Sequence, residues 1–103
     1  YVENFKKDNM DWQLKLNKSD KKYIRLRNQA DRISTISKFY ASNCAFDAAN
    51  RSVQIFGSAG YTKKSRVARH FLDSRAITIY EGANEVLALK IGSQSLGNDF
   101  KAY

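Results

Sequence analysis

The sequence predicts an all-α protein, an antiparallel helical bundle, and three observations carry that expectation. The 103 residues contain no proline and five glycines, too little turn chemistry for a chain of many short strands. Between Asp20 and Phe56, the residues Ile33, Ile36, Tyr40, Cys44 and Ala48 recur at intervals of three or four, and Ile55 extends the line. That is the period of a single helical face. Gly57 and Gly97 stand where two of the helical patterns stop, the place a helix terminus favours glycine.

Taken in order, residues 1–20 are polar and irregular, with Phe5, Met10, Trp12, Leu14 and Leu16 as scattered apolar positions. They read as part helix, part loop, although the alternation of Trp12, Leu14 and Leu16 would also suit a short strand. Asn17-Lys18-Ser19-Asp20 offers a turn and a helix N-cap, because Ser and Asp side chains accept from first-turn N–H groups. The long helix from about Asp20 to Phe56 carries the apolar stripe, which reads as bundle core with Cys44 inside it. Its small residues Ala41, Cys44, Ala45, Ala48 and Ala49 let a neighbour approach closely. Gly57 ends it in the left-handed conformation. A second helix should span about Ser65 to Ile77, with Val67, Phe71 and Ser74 on its inner face. The last should run from Ala83 or Asn84 to Ser95. There Val86, Leu87, Ala88, Leu89 and Ile91 make it apolar on most sides, as for a buried element.

Composition bounds the function. A chain of 103 residues forms one domain at most, with a modest core. No run of about 18 apolar residues exists, so no membrane span is expected, and the start carries no signal-peptide pattern. One cysteine precludes an internal disulfide and fits a reducing, intracellular compartment, whether cytoplasm or mitochondrial matrix. The net charge of +8 comes from Lys and Arg clustered at Lys15–Arg32 and Lys63–Arg75. No aromatic-interleaved basic repeat accompanies them, so solvated helix faces are favoured over a nucleic-acid footprint. His70 is the only histidine and lacks a partner at ligand spacing, which argues against a metal.

The chemistry concentrates in two segments. Ile79-Tyr80-Glu81-Gly82-Ala83-Asn84-Glu85-Val86 holds a carboxylate in a short loop before a helix, with a glycine after it that frees the backbone to turn. About twenty residues upstream, Val53-Gln54-Ile55-Phe56-Gly57-Ser58-Ala59-Gly60-Tyr61-Thr62 breaks a helix in a glycine-bearing turn. Together, and in this order, they resemble the C-terminal helical domain of the flavin-dependent acyl-CoA dehydrogenases. The resemblance runs from about Lys38 to Gly97, without gaps through the two motifs, and residues 1–37 match only weakly. By that comparison the whole chain, 1–103, is a single helical domain, part of a four-helix unit. It is roughly the last quarter of a three-domain enzyme, and its opening on Tyr1 suits a fragment or a processed product.

The resemblance implies α,β-desaturation of an acyl thioester, with FAD as cofactor. Glu81 would be the base that removes the α-proton, while its backbone N–H polarises the thioester carbonyl. Burial against flavin and acyl chain would raise its pKa, and the following helix N-terminus would act the other way. Gln54 and Gly57 would meet the adenine side of FAD across a subunit interface, and Ala83 and Glu85 would form a second FAD patch. The implied partners are an acyl-CoA or acyl-carrier-protein thioester, further copies of the chain in a homo-oligomer, and an electron-transfer flavoprotein. An isolated 103-residue piece would be inactive.

Several residues depart from the family pattern. Ser58 replaces a glycine, Ala83 a threonine, Leu72 an arginine, and Ser65-Arg66 a Tyr-Pro pair. Two other readings therefore stand beside the enzyme: a catalytically silent helical interaction module of the same family, and a basic relative associated with nucleic acid. Tyr61 and Tyr80 read as packing residues.

Overall fold

The computed structural model describes residues 20–97 and Asp99; the expectations for Phe5 to Ser19 lie outside that range. Three α-helices and one short 3-10 turn make up the described chain, in the order α1 (Lys21–Phe56), a 3-10 turn (Gly57–Ala59), α2 (Arg66–Ile77) and α3 (Asn84–Leu96). No strand occurs among the described residues. The chain divides into two compact units, one ending at Asp31 and one beginning at Arg32.

In the first unit, Asp20 caps α1. Its Oδ1 accepts from the Lys22 amide at 3.0 Å, and its carbonyl takes the Ile24 amide at 3.1 Å. This satisfies first-turn donors that would otherwise face water.

The second unit contains the rest of α1, α2 and α3. Arg32 Nη2 donates to Ser95 Oγ at 3.3 Å, whereas Lys38, Ser42 and Asn43 all meet Asn84. Advancing along α1 therefore retreats along α3, so the two helices are antiparallel. Phe46 on α1 meets Phe71 on α2, with ring centroids 5.4 Å apart and planes tilted by 39°. The Arg75 guanidinium sits 5.7 Å from the Phe46 centroid. Such contacts contribute about 0.5–1.5 kcal/mol each beyond the area they bury.

Helix termini follow the local chemistry. Gly57 has φ 58 and closes α1 in the left-handed region. Gly60 (φ −67) is needed for another reason: a Cβ there would lie 2.7 Å from the Val53 carbonyl and 2.9 Å from Phe56 Cβ. Ser65 caps α2 by accepting from the Val67 amide at 3.2 Å. Ala83 precedes α3 and provides no side-chain cap.

The apolar stripe of α1 is not what this unit buries. Ile33, Ile36, Tyr40, Cys44, Ala48 and Ile55 are all exposed, Ile55 to 82%. The face turned inward reads Thr35, Lys38, Phe39, Ser42, Phe46, Ala49 and Val53, again mostly at intervals of three and four, and it mixes polar with apolar side chains. Cys44 is thus a surface thiol rather than a core residue; its position beside Tyr40 pushes the Tyr40 phenol upward through a hydrogen bond and charge repulsion. On α3, Leu87 and Ile91 are half-buried while Val86, Ala88 and Leu89 are exposed, so that helix is covered on one side only. The expected inner face of α2 is observed, with Val67 and Phe71 half-buried and Ser74 buried.

Candidate functional site

The buried side chains of the described residues are polar: Thr35, Ser42, Ser74, Thr78 and Asn84. A polar group leaves water without penalty only if it finds partners, so these residues mark where the structure is most exactingly specified. Asn84, the first residue of α3 and 6% exposed, is the hub. Its Oδ1 accepts from Ser42 Oγ at 3.0 Å and from Lys38 Nζ at 3.2 Å. Its Nδ2 donates to Asn43 Oδ1 at 2.9 Å, and its backbone N–H to the Thr78 carbonyl at 3.0 Å. The one hydroxyl hydrogen of Ser42, a residue 2% exposed, is shared between Asn84 Oδ1 and the Phe39 carbonyl, which lies at 3.1 Å.

These bonds frame the loop that joins α2 to α3. The Asn84 amide closes it onto Thr78. Thr78 Oγ1 in turn donates to the Arg75 carbonyl at 2.8 Å and accepts from the Arg75 guanidinium. From the other side, Lys38 Nζ donates to the Gly82 carbonyl at 2.9 Å. The Ile79 and Tyr80 amides both return to the Ala76 carbonyl, at 2.9 and 3.1 Å.

Glu81 stands at the apex of this loop. Its φ is 55, and it is the one non-glycine among the described residues with a positive φ. A left-handed glutamate costs about 1–2 kcal/mol, so the surrounding anchors must hold it there. Gly82 follows with φ 92, where a Cβ would also press to 3.0 Å from Leu87 Cδ2. The glycine after the carboxylate is thus required by its dihedral, and a Cβ there would also press the mobile end of the Leu87 side chain. The Glu81 side chain is exposed and takes no hydrogen bond or ion pair among the described residues. Its amide is likewise absent from the bonds that close the turn.

Ala83 (φ −55, ψ 145) is half-buried as the residue before α3, and Glu85 is exposed in the first turn, where a carboxylate favours the helix dipole. Glu81, Ala83 and Glu85 therefore share one loop and helix start. Gln54 and Gly57 do not join them. Both are exposed near the C-terminal end of α1, eleven or more residues beyond the Asn84 contacts of Ser42 and Asn43, or about 17 Å along the helix axis. Among the described residues no cluster of His, Cys, Asp or Glu could hold a metal, and His70 is exposed. No helix among them is long and apolar enough to cross a membrane.

Sequence reasoning found the loop and its carboxylate but not the residues that set it. Lys38 enters only as the point where the resemblance begins, Ser42 is not singled out, and Asn84 marks only a possible start of the last helix. A signal existed: Lys38 and Ser42 lie four apart, on the same helical face, in a stretch otherwise read by its apolar positions.

The family described as acyl-CoA dehydrogenase, C-terminal domain, matches residues 21–96. The chain is 37% identical over 68 residues to a 3-(aryl)acrylate reductase of Clostridium sporogenes, covering 66% of this chain and 18% of that protein. It is 36% identical over 70 residues to the caffeyl-CoA reductase–Etf complex subunit CarC of Acetobacterium woodii, covering 68% and 18%. A short-chain-specific acyl-CoA dehydrogenase of Megasphaera elsdenii is 41% identical over 63 residues, covering 61% and 16%. The aligned region thus spans less than a fifth of these relatives. No solved structure matches the chain at a significant level. The two motifs, the helical architecture around them and a family match over most of the chain agree, and the protein belongs to the acyl-CoA dehydrogenase family, residues 21–96 forming its C-terminal domain.

Proposed function

We propose that this domain supplies the catalytic base and part of the FAD site of a flavin-dependent acyl-thioester dehydrogenase. The observation that carries the reading is Glu81, held left-handed at φ 55 with an unengaged carboxylate at the mouth of α3. Strain of that kind at a charged residue is typical of a side chain aimed at a ligand.

Glu81 takes the proton from the carbon next to the thioester carbonyl, and the electron pair of that bond moves toward the carbonyl oxygen. The Glu81 N–H, which closes no turn, donates to that oxygen as charge develops. When bound, FAD supplies the acceptor for the hydride leaving the β-carbon. The residues assigned to it suit an edge of such a site. Gln54 is exposed, and a Cβ at Gly57 would meet nothing within 4 Å, so the surface there is open to a flat ligand. At Ala83 only backbone groups and a methyl are on offer, while Glu85 adds a carboxylate. The offset of about 17 Å along α1 between Gln54 and the Asn84 contacts suits two half-sites, each completed by another copy of the chain.

Two relatives are named as reductases. In that direction the protonated Glu81 carboxyl returns the proton to the α-carbon, as reversibility requires. The Etf complex named for one of them makes an electron-transfer flavoprotein the redox partner to try first.

The test uses the complete flavoprotein that contains this domain. Wild type should be yellow and bleach on adding a saturated acyl thioester. Glu81→Gln should retain the flavin and lose about 10²–10⁴-fold in bleaching rate. Normal bleaching by that variant would place the base elsewhere.

A further inference from the structure

We propose that Lys38 is a positioning residue for Glu81, acting through the backbone of the loop; the proposal rests on the base assignment above. Four observations carry it. Lys38 Nζ donates at 2.9 Å to the carbonyl of Gly82, the residue directly after the carboxylate. The same ammonium donates at 3.2 Å to Asn84 Oδ1, so one cation grips both the loop and the first residue of α3. Glu81 and Gly82 are consecutive left-handed residues, at φ 55 and φ 92, a backbone that does not hold itself. Lys38 also has no carboxylate partner in either contact, and its charge is spent on a backbone carbonyl and an amide oxygen.

Charge-assisted hydrogen bonds are shorter and stronger than neutral ones. A carbonyl gripped this way fixes the Gly82–Ala83 peptide plane. With Asn84 N bound to the Thr78 carbonyl, the loop is tied at both ends, and the Glu81 dihedrals become the ones compatible with both ties. Lys38 is 44 residues from Gly82 in sequence and makes no bond to the carboxylate. Its effect is on where the base stands, and it sets the rate of proton removal rather than the strength of thioester or flavin binding.

The experiment compares Lys38→Met, Lys38→Arg and Glu81→Gln in the complete flavoprotein, by stopped-flow bleaching with a saturated acyl thioester. Lys38→Met keeps the stem and removes the donors. It should slow bleaching at saturating thioester by about 10–100-fold, with flavin content and KM within about twofold of wild type. Lys38→Arg, which retains a cationic donor, should recover most of the rate. Deuterium exchange should quicken at the loop amides of Lys38→Met without quickening within α2. If Glu81→Gln is inactive while folded, flavin-loaded Lys38→Met bleaches normally, the positioning role is overturned and the base assignment survives. If Glu81→Gln itself bleaches normally, the base assignment fails and the positioning role falls with it. Should Lys38→Met not accumulate with flavin, Lys38→Gln keeps a polar side chain but is one atom too short to hold the Gly82 carbonyl. That variant should bleach at least about threefold slower at unchanged KM, and a wild-type rate overturns the proposal.

Discussion

Ser42 Oγ and Asn84 Oδ1 meet at 3.0 Å with both side chains nearly sealed from water, which makes a neutral polar pair the best-covered contact between α1 and α3. None of the described apolar residues is as deeply buried. The pair therefore specifies register, since sliding α1 past α3 by one turn would strand both groups.

The first prediction follows from that burial. Asn84→Ala removes the acceptor of Ser42 and Lys38 and the donor to Asn43. Leaving covered groups unpaired costs about 1–3 kcal/mol, and the thermal midpoint of the protein should fall accordingly. Asn84→Asp keeps the acceptors and loses the donor to Asn43, so it should fall less. An Asn84→Ala midpoint equal to wild type would mean water replaces these bonds freely.

Gly82 offers a sharper test, because two causes can be separated there. Gly82→Ala meets Leu87 Cδ2 at 3.0 Å and must also adopt φ 92. Adding Leu87→Ala removes the contact but leaves the dihedral. Since an L-residue in that region costs about 1–3 kcal/mol, the double variant should not regain wild-type bleaching. Full recovery would assign the glycine to packing alone.

The glycines of the α1–α2 turn make a contrasting pair. At Gly57 a Cβ has open space and only φ 58 opposes it, whereas at Gly60 the dihedral is ordinary and the Val53 carbonyl blocks the way. Gly57→Ala should therefore cost only about 1 kcal/mol in stability, yet weaken flavin retention if the cofactor edge lies there. Gly60→Ala should lower the melting temperature more and demand movement of the turn. Equilibrium dialysis of FAD together with thermal melts separates the two.

Much of this was legible in the chain, and the boundary of what was legible has a physical origin. Asp20, Gly57, Ser65 and Gly97 announce helix ends because caps and left-handed termini are local chemistry, and the helices end within a residue or two of them. Glu81 and Gly82 announce the loop for the same reason. The covered face of α1 was not legible. An apolar stripe such as Ile33, Ile36 and Tyr40 says that a surface favours cover, but not which element provides it. The face this unit covers is the one whose Lys38 and Ser42 donate to Asn84 and whose Asn43 accepts from it, across 41 to 46 residues, and the distant partner is not visible in the local sequence. The same holds for Gln54 and Gly57, whose separation from Glu81 follows from the antiparallel pairing and not from their spacing in the sequence.

Glu81 can be probed by length as well as by charge. Glu81→Asp keeps the carboxylate, the loop and a residue type that tolerates the left-handed region better than most, but draws the base back by one methylene. A displacement on the order of 1 Å at a reacting group costs about 100-fold. Glu81→Asp should therefore fold at least as well as wild type, hold the same flavin, and bleach about 100-fold more slowly. If Glu81 served instead to favour the start of α3 through the helix dipole, Asp would do so equally well, and the rate would stay within a few-fold of wild type. Stopped-flow bleaching beside a thermal melt therefore distinguishes a base, for which reach matters, from a helix-start carboxylate, for which it does not.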